Sequence, residues 1–448
     1  MVKKIGFGLS FFLSIVFVSL HSYESIYLIL AFIILAVELG RNKINWDYLS
    51  VINYTYILLY CIVPMFMYRF PEELHYYIDL NNRNILVSSL YVYLGYFFIL
   101  CGYFITFNKS LRQDFIIKDK ILFKLSLLFF TIGLISFSLY ASSYGGFQII
   151  IENADRIRSG WFTTSSPFVF FKLPSAMLTL SFWIAVSLLF NNKANEYTRL
   201  FLLFLVATTF TIALARAFAT AGRSEILYLI SPVILGWYLW RNKKPSAVTV
   251  IGLSVSFVFF LLNGDQIIRR LNGSESFIEQ NRESGTAFFD FLREFSHPYA
   301  SLNSMIISVP HPLSPGLFSD LILSVVQLVP ERLLGINLPF GVSGYNTYQL
   351  TGVFKETIPP GLLGFLFYSL PFAGVILGSF LFGHLVRRLE LYLTKFKDTH
   401  PIYTLLYVAF GITIFGFMMG GDPKVYLNLY LWSLIIGALI IIFFTKKK

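Results

Sequence analysis

Arginines recur in groups between the apolar runs of this chain. ENADRIRSG (152–160) sets Arg156 and Arg158 beside Glu152 and Asp155. ARAFATAGRSE (215–225) carries Arg216 and Arg223, and GDQIIRRLNG (264–273) carries Arg269 and Arg270. Arg282, Arg293 and Arg332 follow. A guanidinium presents a planar fork of donors that matches phosphate oxygens. If the apolar runs cross a bilayer and these groups share one boundary, they suit a substrate that carries pyrophosphate. Two plainer uses stay open for each residue: reaching up to phospholipid headgroups, or pairing with a nearby carboxylate. Arg216 stands apart because it lies inside the run TIALARAFAT, where an ionisable group is expensive. Arg223 opens the next run from a Gly-Arg-Ser turn. The positive end of that helix dipole would face the same boundary, and helix N-termini hold phosphate for this reason. Arg216, Arg223 and the N-terminus therefore combine into one expected anion site.

A second constellation lies in TAFFDFLREFSHPYASL (286–302). Read as one amphipathic helix, it puts Phe288, Phe291, Leu292 and Phe295 on one face. Asp290, Arg293, Glu294 and His297 fall on the other at i, i+3, i+4, i+7, and Pro298 ends or bends the helix. That polar stripe offers a general base with an orienting partner. His297 ranks first because its ordinary pKa of about 6.5 suits neutral conditions, and Glu294 and Asp290 come next. A solvated face with helical ion pairs is the plain alternative. FSDLILSVVQLVPERLLG (318–335) reads as an interfacial or re-entrant helix that caps the site. GVSGYNTYQLTG (341–352) reads as a turn region. Its Tyr345, Asn346 and Tyr348 suit stacking and hydrogen bonding with sugars, and equally suit any ordered loop. GGDPK (420–424) places Asp422 as a cap before Pro423. No metal motif, phosphate-binding loop, dinucleotide fingerprint, nucleophile elbow or cysteine cluster is present. Neither a metal nor a cofactor is expected.

The elements that must position these residues follow from composition. Of the 448 residues, 56% are hydrophobic and only 13% charged, and the mean hydropathy is +0.68. So few charges cannot cover a soluble surface of this size, and 49 Phe with 27 Tyr exclude disorder. The expected fold is an all-α integral membrane protein of about 12 transmembrane helices, since a bilayer core takes roughly 20 apolar residues per helix. The runs lie at 5–20, 25–39, 48–68, 85–107, 121–142, 167–190, 200–219, 225–240, 246–262, 361–386, 402–420 and 425–444. Unbroken apolar character favours helices over a barrel, whose strands would alternate. The start, MVKK and an apolar run to Leu20, resembles a signal peptide without a cleavage site and is expected to stay as the first helix. Cys61 and Cys101 lie inside apolar runs, so a disulfide framework is not expected.

Orientation follows from charge. The formal net charge of +11 resembles a nucleic-acid signal, but most of the 35 Lys and Arg sit in short clusters on alternate connections, as topology anchors do. No nucleic acid is expected as partner. Both termini are then cytoplasmic. Nine helices fill 1–262 with a moderate external loop at 143–166, a large external loop spans 263–360, and three helices fill 361–448. Loops of this size are uncommon unless functional.

The layout resembles the Wzy family of O-antigen or oligosaccharide repeat-unit polymerases. The landmarks are SYGGFQIIIENADRIRSG, AGRSEIL, REFSHPYASLN, VPERLLG with GYNTYQLTG, and PPGLLGFLFYSLPFAGVILG. Their order fits from about residue 140 to 385, while the N-terminal third is similar in hydropathy only. The resemblance implies a metal-independent glycosyltransferase of the bacterial inner membrane. It would take undecaprenyl-pyrophosphate-linked oligosaccharide on the periplasmic face and move the growing glycan onto the next repeat unit, with a chain-length regulator and a flippase as partners. It also implies pyrophosphate binding by Arg156, Arg158, Arg216, Arg223 and Arg293. The rivals are an O-antigen ligase, a flippase or other transporter of lipid-linked oligosaccharide, and a scaffold. A transporter would carry more polar groups at mid-membrane. The charge pattern generates a direct expectation. Cysteines introduced at Ser274 and Ser314 should react with an impermeant thiol reagent in intact spheroplasts; labelling only after lysis would reverse the orientation.

Overall fold

The computed structural model describes residues 23–41, 47–74, 82–105, 115–158, 162–191, 199–220, 223–243, 245–271, 287–307, 316–329, 334–335, 339–352, 358–397, 399–427 and 432–447. The expected first span, 5–20, lies outside them. The described chain is helical apart from a two-residue antiparallel pairing of Phe115–Ile116 with Lys446–Lys447. Among the described residues, seven helices are long and apolar enough to cross a membrane: Tyr48–Arg69, Asn84–Ile105, Asp119–Ser142, Pro167–Phe190, Arg199–Ala219, Pro371–Thr394 and Pro401–Gly420. Three shorter apolar helices, Ser25–Leu39, Ser224–Trp240 and Ser433–Phe443, fall on further expected runs.

The chain divides into two compact units. The first comprises Met1–Asn108, Ser284–Glu390 and Thr413–Tyr426. Its helices are α1 (Tyr23–Leu39), α2 (Tyr48–Arg69) and α3 (Asn82–Ile105). The loop helices follow: α4 (Ala287–Glu294), α5 (His297–Ile307), α6 (Ser319–Val326) and α7 (Val342–Thr351). Then come α8 (Gly361–Ser369) and most of α9 (Pro371–Thr394). Asp47 caps α2 by accepting from the Ser50 N–H at 3.0 Å. A π-turn at Leu58–Ile62 precedes Pro64, which has no N–H to continue the regular ladder. Arg41 and Arg387 are tied down by carboxylates. Arg41 pairs with Glu38 at 2.8 Å and with Asp47, and Arg387 pairs with Glu390 at 2.9 Å.

Three expectations change here. The run at 361–386 is two helices, because Leu370 is extended (φ −161°) between α8 and α9. The segment 286–302 breaks after Glu294 and restarts at His297. Pro298, expected to end or bend a helix, lies just past the break, at the start of α5, where its missing N–H costs nothing. Finally, 341–352, read as turns, is the helix α7.

The packing of α5 against α8 rests on two glycines with positive φ, Gly361 (+69°) and Gly421 (+63°). A Cβ on Gly421 would stand 2.0 Å from the Gly361 carbonyl oxygen, and one on Gly361 would stand 2.4 Å from Pro298 Cβ. Only bare backbone fits where these three segments meet.

The second unit comprises Lys109–Glu283, Leu391–Ile412 and Leu427–Lys448. It contains α10 (Asp119–Ser142), α11 (Met177–Phe190), α12 (Arg199–Ala219), α13 (Arg223–Trp240) and α14 (Ala247–Leu271). Ser126 and Ser181 exchange hydroxyl-to-carbonyl bonds at 3.1 and 2.8 Å, joining α10 to α11 through small polar residues, as membrane helices do. Helix α14 continues to Leu271, beyond the expected end at 262, so the segment drawn as the start of the large loop begins as helix.

The glycine contact gives a sharp expectation. Gly421→Ala should lose the monodisperse folded peak in detergent size-exclusion, or melt well below the parent, since side chains in this backbone region cost about 1–2 kcal/mol before any clash. Gly252→Ala, with nothing within 4 Å of the added carbon, should behave as the parent does. Equal stability of the two variants would remove this contact from its structural role.

Candidate functional site

In the first unit, α4 seats its aromatic face on the end of α2. Phe288 meets Phe66 edge-on with ring centroids 5.1 Å apart, and Phe289 meets Phe70 at 5.3 Å. Arg293, one turn further on, donates to Asp290 at 3.1 Å and to the Glu73 carbonyl at 2.7 Å. Its Nε is buried with no partner among the described residues. Asp290, Arg293 and Glu294 are half-buried together on α4.

His297 does not join them. The chain turns at Phe295–Ser296, where the Ser296 hydroxyl donates to the Arg293 carbonyl at 2.7 Å, and His297 then opens α5. It is 8% exposed. Its Nε2 lies 3.1 Å from the Met419 carbonyl oxygen and donates to it in the tautomer protonated there. Burial pushes its pKa down to about 4, against the opposing pull of the Met419 and Glu294 carbonyls. The expectation of one stripe from Asp290 to His297 is thereby corrected. So is the premise that His297 titrates near its ordinary value, because the ring is enclosed and stays neutral.

Helix α7 carries the three residues expected to meet sugar. Asn346 spends its amide protons inside the protein, on Ser301 Oγ at 2.9 Å and the Ile358 carbonyl at 2.7 Å. Its Oδ1 is buried and unpartnered among the described residues. Tyr345 stacks on Tyr368 with centroids 6.0 Å apart, and Tyr348 is exposed. The N-terminus of α7 is held by two buried carboxylates. Asp320 accepts from the Val342 N–H at 2.7 Å. Asp422 accepts the Ser343 hydroxyl and, at 2.8 Å, the Lys424 N–H. Burial raises the Asp320 pKa, and the negative Asp422 adds to the rise. Sequence reasoning singled out Asp422 as a cap and passed over Asp320. The signal was one acid inside the apolar stretch FSDLILSVV, which lipid would not tolerate unpartnered.

The other expected pyrophosphate residues belong to the second unit. Arg216 is buried and already paired: Nη1 lies 2.6 Å from Glu225 Oε2, the two side chains being 7% and 5% exposed, and Nε donates to Ser175 at 2.8 Å. Arg216, Glu225, Trp183, Tyr228 and Ser433 line a cleft with room for about one water molecule. The plain alternative of a carboxylate partner therefore holds for Arg216. Glu225, nine positions along the chain, was not named as that partner. Arg223 opens α13 as expected, and its side chain, like that of Arg158, lies outside the described residues. Arg156 is exposed.

No family model, curated protein or solved structure matches this chain.

The enclosure of His297 gives a pH expectation. Its folded pKa of about 4 lies below the unfolded value of about 6.5. Its contribution is therefore present above pH 6.5 and lost as pH falls through 4, on the order of 3 kcal/mol in all. Thermal unfolding in detergent between pH 7.5 and 4.5 should show a steep acid loss in the parent and a flatter one in His297→Gln. Parallel profiles would contradict the buried neutral imidazole.

Proposed function

We propose that this multi-pass membrane protein polymerises undecaprenyl-pyrophosphate-linked oligosaccharide repeat units at the periplasmic face of the bacterial inner membrane, in O-antigen or capsule-type polysaccharide synthesis. The observation that carries the reading is the setting of Arg293. A guanidinium fixed at two of its donors stands beside the Phe66, Phe70, Phe288 and Phe289 cluster at the end of a membrane-length helix. A polyprenyl pyrophosphate needs that pairing, apolar surface for its tail next to a fixed cation for its phosphates.

In the proposed reaction an acceptor hydroxyl of one repeat unit attacks the anomeric carbon of the growing glycan. The new glycosidic bond forms as the bond to pyrophosphate breaks, and the electron pair leaves on the pyrophosphate. Arg293 meets that developing charge without reorganising, because Asp290 and the Glu73 carbonyl already hold it. The hydroxyl proton passes to a carboxylate. Glu294, half-buried beside Arg293 on α4, is favoured over His297, whose ring is enclosed and whose basicity is low. Tyr345 and Tyr348 on α7 supply stacking faces for the glycan.

The test is the ladder of surface glycan in a deletion strain complemented with variants at matched protein level. Arg293→Ala should leave single repeat units only. Arg293→Lys should rescue poorly, because the fork is lost. Glu294→Gln should cut turnover about 10²–10⁴-fold. A normal ladder from both Arg293→Ala and Glu294→Gln would refute this site. In the deletion strain itself, free polymer that is not attached would indicate a ligase, and loss of single-repeat surface glycan would indicate a flippase.

A further inference from the structure

Helix α6 is built inside out for an aqueous loop. Asp320 and Ser324 face inward, 4% and 3% exposed. The Asp320 carboxylate takes the Val342 N–H, and the Ser324 hydroxyl donates to the Leu321 carbonyl at 2.8 Å. The amide of Gln327, just past the helix, is buried too. Apart from Ser319 at its first position, the outward residues are apolar: Leu317, Leu321, Ile322, Val325 and Val329, with Ile322 71% and Val325 60% exposed. Polar inside and apolar outside is the arrangement that hydrocarbon selects, and a contiguous apolar face of this kind marks an interaction surface.

The place of α6 in the chain names the occupant. Immediately before it, the Gly316 N–H donates to the Tyr368 carbonyl at 3.0 Å and the Leu317 N–H to the Ser369 carbonyl at 2.8 Å. Those acceptors end α8, two and three residues before α9 starts at Pro371. Helix α9 is itself a membrane-length span with lipid-type exposure at Phe372, Leu377, Leu381 and Leu385. The apolar face of α6 is thus fastened by backbone bonds to the end of a span. Eight residues reach about 12 Å as a helix, well short of the roughly 30 Å hydrocarbon core, so α6 cannot cross. Its exposed face is one side of a single short helix.

We infer that α6 lies along the bilayer, in the leaflet where α9 begins, with Leu321, Ile322 and Val325 among the lipid acyl chains. The region 263–360 is then not wholly an aqueous loop. Lipid on one side of α6 and the Asp320 bond on the other hold the start of α7 at the membrane surface. This inference stands independently of the proposed reaction.

Spin labels test it. In a background with Cys61→Ala and Cys101→Ala, nitroxides are placed at Ile322→Cys and Val325→Cys, one at a time. The folded protein is reconstituted in nanodiscs of phosphatidylcholine and phosphatidylglycerol. Leu377→Cys on α9 is the lipid-facing control, and exposed Glu152→Cys is the aqueous one. Power saturation should show both α6 labels more accessible to oxygen than to a water-soluble nickel chelate, as at Leu377→Cys. Greater accessibility to the nickel chelate, as at Glu152→Cys, would overturn the proposal. An immobilised spectrum closed to both reagents would also overturn it, by showing that a second copy or another protein covers the face. The two positions guard against a single label that disturbs the fold.

Discussion

The first unit depends on a place where three backbones touch. Gly361, Gly421 and Pro298 meet with no room for a side chain on either glycine. That approach brings the start of α5 under the start of α8 and beside the turn after Gly420. Several features follow from it. His297, next to Pro298, is carried into the interior and finds the Met419 carbonyl. Asp422, next to Gly421, reaches the Ser343 hydroxyl at the head of α7. Ser301, one turn along α5, receives Asn346. A contact made of glycine and proline thus distributes the polar bonds that hold the loop helices on the membrane helices.

The charged groups follow one rule, set by the cost of leaving them alone in a medium that cannot solvate them. Arg216 has Glu225, Arg41 has Glu38 and Asp47, and Arg387 has Glu390. Arg293 differs in kind. Its pair with Asp290 is more open, at 28% exposure for both side chains, and one of its other bonds is to a backbone carbonyl. Both arginines face a carboxylate, but the open Arg293–Asp290 pair leaves more of the guanidinium accessible to an anion than the enclosed Arg216–Glu225 pair does. In the proposed reaction the phosphate role therefore falls to Arg293.

Much of the fold was legible because membrane spans are written in composition. Long apolar runs predict helices wherever the backbone has no water to bond, and the runs at 48–68, 121–142, 200–219 and 402–420 agree with observed helices to within a few residues. The loop region was legible in content but not in detail. One helix through 286–302 is the natural reading of the spacing of Phe288, Phe291, Leu292 and Phe295. Pro298 carries a local signal for the break, since it has no N–H for the Glu294 carbonyl; what no local propensity encodes is the burial of His297 beside Met419 and of Pro298 beneath Gly361. The segment 341–352 looked like turns because Gly, Ser, Asn and Thr have weak helix propensity; tertiary bonds from Asp320, Asp422 and Ser301 stabilise it as a helix. The cost of Arg216 was readable from its apolar surroundings, but a partner nine residues away across a helix connection was not.

The most direct measurement is reconstitution. Purified protein in nanodiscs is supplied with undecaprenyl-pyrophosphate-linked repeat unit alone, and glycan length and released undecaprenyl pyrophosphate are followed together. The expected result is a ladder of products, with one undecaprenyl pyrophosphate released for each new linkage. Folded protein that leaves every repeat unit single, with no undecaprenyl pyrophosphate released, would contradict the assignment.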